Sequence, residues 1–277
     1  MTPDSLTNFL YLADTLPKKY PEFYARLEKE LKEQKVDFDF LPGTKDVWAV
    51  DYMPIQVGDR FIQFRYDPGY LKPQTFHKTI SDVDAICAAL GIETVKPDIV
   101  LDGGNLVRSQ HQAILTNRVF QDNPDWDRKK LLFQIQDLLE LDRIILIPEQ
   151  PGDYTGHADG MVRFIDEHTL LANDFSREEK EFYEAFEIAL HNTGLEVVYL
   201  PYNVYQNPNN NYANGDYINY LQMRQGIFVP TFGLPEDEKA IQVIETCFPD
   251  QKIIPIESND LAKDGGILNC ISWNIFK

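Results

Sequence analysis

Gly226-Ile227-Phe228-Val229-Pro230, a turn across Pro235 into a helix near 236–247, and then Lys252-Ile253-Ile254-Pro255-Ile256 form the stretch that decides the fold. Two short runs rich in β-branched and aromatic residues flank a helix-length segment, so the unit reads as strand, helix, strand. A proline ends the pattern, because a residue without an N–H cannot extend a ladder. The same order recurs upstream. Thr169-Leu170-Leu171-Ala172-Asn173, a helix-like 176–191 and Leu195-Glu196-Val197-Val198-Tyr199-Leu200-Pro201 make one copy. Ala113-Ile114-Leu115-Thr116, a polar turn through Asp122-Asn123-Pro124, an apolar helix near 128–140 and Arg143-Ile144-Ile145-Leu146-Ile147-Pro148 make another. A further copy fits Arg60-Phe61-Ile62-Gln63-Phe64, a helix near 80–90 and Glu93-Thr94-Val95 before Pro97, with Ser81 as the N-cap and Gly91 as the C′ residue.

The two chain ends remain. A helix near 21–34 leads into Val36-Asp37-Phe38-Asp39-Phe40-Leu41-Pro42 with no first strand before it, and Gly266-Ile267-Leu268-Asn269-Cys270-Ile271-Ser272-Trp273 offers a strand with no helix after it. Together they complete a fifth unit. The expectation is one domain over residues 1–277, an α/β ring of five pseudo-symmetric blades closed by its own termini, which is how radial repeats dispose of sheet edges. An open α/β sheet also alternates strands and helices and is the competing architecture. No linker-like composition divides the chain, and Gln206-Asn207-Pro208-Asn209-Asn210-Asn211 reads as a surface loop.

Composition limits the function. The 277 residues are 43% apolar and 25% charged, values of a globular chain. With 26 basic against 44 acidic residues the net charge is -18, which argues against binding nucleic acid and favours cationic ligands. Cys87, Cys247 and Cys270 fall at no repeating interval, which excludes a disulfide framework and a zinc knuckle and suits a reducing compartment. The N-terminus lacks a basic segment before its apolar patch, and no apolar run approaches the roughly 20 residues of a membrane span. A cytoplasmic location without a membrane partner is expected.

Polar clusters fall on the connections between units. Trp48-Ala49-Val50-Asp51-Tyr52 sets an acid beside aromatics, and Leu101-Asp102-Gly103-Gly104-Asn105 ends an apolar run with an acid and two glycines. Taken singly, that glycine pair is a turn. Gly156-His157-Ala158-Asp159-Gly160 precedes Met161-Val162-Arg163-Phe164-Ile165; if His157 begins this strand, His157 and Asp159 share one face. Such a pair suits ligation, acid/base work or a surface hydrogen bond alike. Gly265-Gly266-Ile267-Leu268-Asn269-Cys270 delivers a thiol at the end of an apolar strand, whereas Cys87 and Cys247 fit helix faces as inert residues. His77, His111, His168 and His191 lack a comparable context and read as surface or structural.

As a set, Trp-x-x-Asp, Asp-Gly-Gly-Asn, Gly-His-x-Asp-Gly and Gly-Gly-x-x-x-Cys, spread over residues 48 to 270, resemble the guanidine-modifying superfamily. Within it they are similar to the agmatine deiminase and Porphyromonas-type peptidylarginine deiminase branch. The resemblance implies a five-bladed pentein fold of ββαβ units. It also implies Cys270 as nucleophile, His157 as general acid/base and Asp102 as the acid orienting that histidine. Asp51 and Asp159 would hold the guanidinium, Trp48 would line the pocket, and Asn219 would be an active-site asparagine; Asn105 would act only in positioning backbone. No metal or other cofactor is implied, the partner is a small cationic guanidine, and self-association stays open. One departure stands out: Val50 occupies the place of an arginine usual in the family.

The implied reaction is agmatine deimination, with peptidylarginine deimination as the alternative. Other readings are a catalytically silent cation-binding ring, favoured by Val50, and a metal-dependent ureohydrolase using His157, Asp159 and Asp102 as ligands, for which the sequence lacks the usual Asp/His cluster. Arg65 would suit a substrate carboxylate, or simply be a surface charge, and Asp153 or Glu149 would suit a distal amine.

Overall fold

The computed structural model describes residues 1–71 and 78–277; His77 lies outside them. The described strands are β1 (Phe9–Ala13), β2 (Asp37–Leu41), β3 (Ile55–Val57), β4 (Arg60–Ile62), β5 (Thr94–Val95), β6 (Val107–Arg108), β7 (Gln112–Thr116), β8 (Arg143–Ile147), β9 (Val162–Phe164), β10 (Thr169–Asn173), β11 (Glu196–Leu200), β12 (Leu221–Met223), β13 (Gly226–Thr231), β14 (Ile253–Glu257) and β15 (Ser272–Ile275). They form five three-stranded sheets ordered β15-β1-β2, β3-β4-β5, β6-β7-β8, β9-β10-β11 and β12-β13-β14. In every sheet the middle strand is antiparallel to one neighbour and parallel to the other. A helix joins each parallel pair: Pro21–Glu33, Val83–Ala89, Arg128–Leu139, Lys180–His191 and Asp237–Cys247. This is a five-unit pseudo-symmetric α/β arrangement. No hydrogen-bonded ladder runs from one described sheet into the next, so the units stand side by side rather than forming a continuous barrel.

Apolar spacing explains how each helix sits. Phe23, Leu27 and Leu31 are buried at i, i+4 intervals, as are Leu131, Ile135 and Leu139, and Phe182, Phe186 and Leu190. One stripe per helix packs inward and the charged remainder faces water. On the helix Val83–Ala89 the cap is Asp82 rather than Ser81: the Asp82 carboxylate accepts from the Ala85 N–H at 3.0 Å, while the Ser81 hydroxyl accepts from the Lys45 N–H at 2.9 Å. Gly91 follows that helix with φ +69°, a left-handed stop that glycine adopts without strain.

Strand roles at the chain ends differ from the expectation. The middle strand of the terminal sheet is Phe9-Leu10-Tyr11-Leu12-Ala13, not the C-terminal segment. A strand paired on both sides and covered by a helix needs a continuous apolar run, and Leu10, Leu12 and Ala13 are fully buried. The strand β15 instead alternates Ser272 and Asn274 with Trp273 and Ile275, and lies antiparallel on the flank. Equivalent flanking strands in the other units are two or three residues long, too short for a periodicity to register in sequence.

Three flanking strands meet one acid. Asp4, in a short turn near the N-terminus, accepts from Arg108 of β6 at 3.0 Å, Arg163 of β9 at 2.7 Å and Asn274 of β15 at 3.2 Å. Three separate units are thereby tied together by a paired, hydrogen-bonded charge cluster.

Candidate active site

Loops between units bring the candidate residues together. Trp48 leads the short helix Ala49–Tyr52, which carries Asp51, and its N–H is held by the Asp46 carboxylate at 3.1 Å. The Val50 N–H donates to the Cys270 carbonyl at 3.2 Å, joining the first of these loops to the last. Asp102 precedes the tight turn Gly103–Asn105. That turn needs its glycines for contact: a Cβ on Gly103 would lie 1.9 Å from the Val50 carbonyl oxygen, and one on Gly104 would lie 2.5 Å from His157 Nδ1 and 2.6 Å from Asp51 Oδ1. The turn reading and the site reading of Asp-Gly-Gly are the same structure seen from two sides.

His157 and Asp159 do not lie on a strand, because β9 starts only at Val162. Asp153 shapes their loop instead, accepting from the Thr155 N–H at 2.9 Å, the Thr155 hydroxyl at 2.7 Å and the His157 N–H at 3.2 Å. The two side chains consequently serve different partners. His157 Nε2 lies 3.1 Å from Asp102 Oδ2, and Nδ1 lies 3.5 Å from Asp51 Oδ1. Asp159 Oδ2 accepts from Asn219 Nδ2 at 3.1 Å and Asn269 Nδ2 at 2.7 Å, and stands 3.9 Å from Cys270 Sγ.

Cys270 occupies a turn ahead of β15 rather than the end of a strand. Asn219 Oδ1 holds that turn, accepting from the N–H groups of Asn269 at 3.1 Å and Cys270 at 3.3 Å, with Cys270 Sγ 3.3 Å away. Gly266 lies flat on the indole of Trp48, where a Cβ would come within 2.3–2.8 Å of ring atoms. All seven sequence candidates (Trp48, Asp51, Asp102, His157, Asp159, Asn219 and Cys270) are thus linked in one cluster through direct contacts or the Gly103–Gly104 and Gly265–Gly266 turns.

A family model described as Porphyromonas-type peptidyl-arginine deiminase matches residues 19–275. The chain belongs to that family. An agmatine deiminase of Pseudomonas syringae pv. tomato is 25% identical over 289 residues, covering 91% of this chain and 71% of that one. The chain spans 60% of the length of two further curated relatives that it matches. Among solved structures, a C. jejuni agmatine deiminase superposes with a TM-score of 0.83 at 20% identity, covering 100% of this chain and 95% of that one. An Enterococcus faecalis agmatine deiminase gives 0.80 at 18%, with 100% and 95% covered. At these identities the structural likeness establishes the fold.

Within this deiminase-family fold, charge dominates the pit. Burial works against an ionised His157, but the carboxylates of Asp51, Asp102 and Asp159 outweigh it and raise the imidazole to about 10. Burial pushes the Asp51 and Asp159 carboxyls up, against the pull of His157. Cys270 is driven well above the usual thiol range by burial, then by Asp159 and Asp51. These directions agree on an imidazolium at His157 and a protonated thiol at Cys270.

Two neighbours escaped the sequence reading. Asn269 adjoins Cys270 but belongs to no motif by itself, and Tyr70, whose hydroxyl donates to Asp102 Oδ2 at 2.7 Å, sits in an aromatic stretch without a distinctive pattern. Asn105 holds backbone, accepting from the Thr116 N–H at 2.9 Å. Arg65 pairs with Asp98 at 2.7 Å as an exposed charge, and Glu149 lies 3.9 Å from Arg118.

Proposed function

We propose that this chain is a guanidine hydrolase that acts through a covalent cysteine adduct, with agmatine as its substrate and N-carbamoylputrescine and ammonia as products. The observation that carries the reading is the clustering of Cys270 beside Asp159 and of His157 between Asp51 and Asp102, with His157, Asp102 and Asp159 buried. A guanidinium is planar and cationic, and two carboxylates can pair with its N–H groups in fixed geometry. Asp51 and Asp159 fill that role, and they set the central carbon at attack distance from Cys270, which removes much of the entropic part of the barrier. Asp102 has one buried oxygen with no hydrogen-bond partner among the described residues. Trp48 forms the apolar side of the pocket.

The bound cation also changes the protonation of the pit. Its positive charge offsets the carboxylates that hold the Cys270 thiol protonated, so substrate binding itself favours the thiolate. The thiolate pair forms the C–S bond. His157, charged across the neutral range, gives its proton to the departing nitrogen as the C–N bond breaks, and ammonia leaves. Neutral His157 then takes a proton from water, whose oxygen attacks the thiouronium carbon; collapse breaks the C–S bond, releases the ureido product and passes the adduct's hydroxyl proton to the sulfur, replacing the proton given up to solvent when the thiolate formed. No step calls for a metal. A reducing, cytoplasmic setting would keep Cys270 available for this chemistry.

Val50 does not undermine this reading. Its link to the site is the N–H bond to the Cys270 carbonyl, which almost any residue can supply in place of the usual arginine. Peptidylarginine is the second reading, because the matching family model carries that name. An ammonia-release assay with agmatine, free arginine and a peptide ending in arginine tests both. Release from agmatine that vanishes in Cys270→Ser supports the first. Turnover confined to the peptide selects the second, and ammonia release undiminished in Cys270→Ser contradicts the nucleophile.

A further inference from the structure

Tyr70 meets the acid that faces His157. Its hydroxyl donates to Asp102 Oδ2 at 2.7 Å, the same oxygen that lies 3.1 Å from His157 Nε2. The other oxygen of Asp102 is buried without a partner among the described residues, so Tyr70 and His157 share one atom. The Tyr70 ring stands edge-on to the His157 imidazole, with centroids 6.1 Å apart, and edge-on to Tyr154 at 5.6 Å. The Arg118 guanidinium lies 6.0 Å from its ring centre. A line of contacts thus runs from the Tyr70 hydroxyl through Asp102 Oδ2 to the imidazole.

We infer that Tyr70 is a positioning residue for the reaction: its hydroxyl fixes the Asp102 carboxylate and withdraws part of its charge from His157. The inference rests on the reading of His157 as the proton carrier. The physical argument is competition for a shared acceptor. Two donors on one carboxylate oxygen each receive a weaker bond than either would alone, so Tyr70 limits how strongly Asp102 holds the imidazolium. Both halves of the proposed reaction need that limit. An imidazolium held too tightly is a poor acid toward the leaving nitrogen, and its neutral form is then too scarce to deprotonate water. Asp51, Asp159 and Asp122 also act on this histidine, Asp122 being paired with Arg118, and none of them has a hydrogen bond to the shared oxygen.

Removing only the hydroxyl tests the inference. In Tyr70→Phe the His157 titration, followed by NMR in full-length protein, should move upward by roughly one unit, since a unit corresponds to one lost charge-assisted hydrogen bond of competition. The same variant should lose about tenfold in kcat on the guanidine substrate with KM changed less than twofold, and its alkaline limb should follow the titration. In an Asp102→Asn background the substitution should no longer shift His157. A fluorotyrosine at position 70, a stronger donor of nearly the same size, should move the His157 midpoint the opposite way and carries the test if Tyr70→Phe does not fold. A His157 midpoint that stays put or falls, or a shift that persists without Asp102, overturns the inference. Because the titration needs no turnover, it decides the role of Tyr70 even if no guanidine proves to be a substrate; absence of turnover in the wild type would count against the proposed function alone.

Discussion

His157 carries the clearest energetic signature of any single side chain in the site. Its imidazole is raised from an ordinary value of 6.5 to about 10, with burial opposing the rise and Asp51 and Asp102 driving it. A group whose native value is raised adds stability that is complete below the unfolded value and is lost as pH climbs through the native one. The contribution of His157 should therefore be full at pH 6 and should decline between about pH 6.5 and 10. Thermal melts of wild type and His157→Gln across that interval check the sign: the gap between the two curves should narrow as pH rises. A gap that widens would mean that the buried imidazole is neutral in the native protein. The raised carboxyls of Asp51 and Asp159 act in the same sense, since their ionised forms are disfavoured by folding. The pit is thus held in a costly charge state that a bound cation relieves, and a guanidine ligand present at a hundred times its Kd should add about 2.7 kcal/mol to the stability of Cys270→Ser.

Short turns, rather than the regular elements, position the chemistry. The loop of Gly103 and Gly104 passes so close to Val50, Asp51 and His157 that a single methyl would displace both the acid and the imidazole. Gly104→Ala should cost about 1–3 kcal/mol from overpacking and reduce kcat/KM far more than that loss of stability accounts for. Denaturant melts alongside kinetics separate the two, and unchanged kinetics would place the site elsewhere. This is also where sequence and structure part company. Four of the five parallel strand pairs and their helices were legible because an apolar run such as Leu170-Leu171-Ala172, followed by a stripe such as Phe182, Phe186 and Leu190, recurs along the chain. The flanking strands of two or three residues carry no such signal, and β1 was passed over because its run precedes the first helix and its partner β15 comes from the other end of the chain. Asp51, His157 and Cys270 were legible because glycines and acids cluster beside them. The contact of Tyr70 with Asp102 spans 32 residues and depends on packing that no local pattern encodes. His157 and Asp159 were expected on one strand face; a turn held by Asp153 sends them to different partners.

At the scale of the molecule, five units must be held in register for loops drawn from residues 48 to 270 to share one pit. Asp4 is the most concentrated tie among the described residues, joining Arg108, Arg163 and Asn274 from three sheets. Its side chain is 14% exposed and that of Arg163 only 6%, so Asp4→Ala would leave a buried guanidinium without its partner. The expected loss is about 3–5 kcal/mol, read as a fall in the denaturation midpoint. A fall below 1 kcal/mol would show that the units are held by apolar packing alone. The chain's charge of -18 fits the same picture, since an acidic surface draws cations toward an acidic pit. The central claim, that a thiol near the C-terminus attacks a cation clamped by acids from distant loops, is tested most directly by acid-quenching the wild-type protein during turnover of agmatine and locating any covalent adduct by peptide mass spectrometry. The account predicts an adduct equal to agmatine less ammonia on the peptide containing Cys270, absent from Cys270→Ser and diminished in Asp51→Asn. Ammonia release with the adduct on another residue, or with Cys270 carrying none under conditions that trap the intermediate, would contradict it.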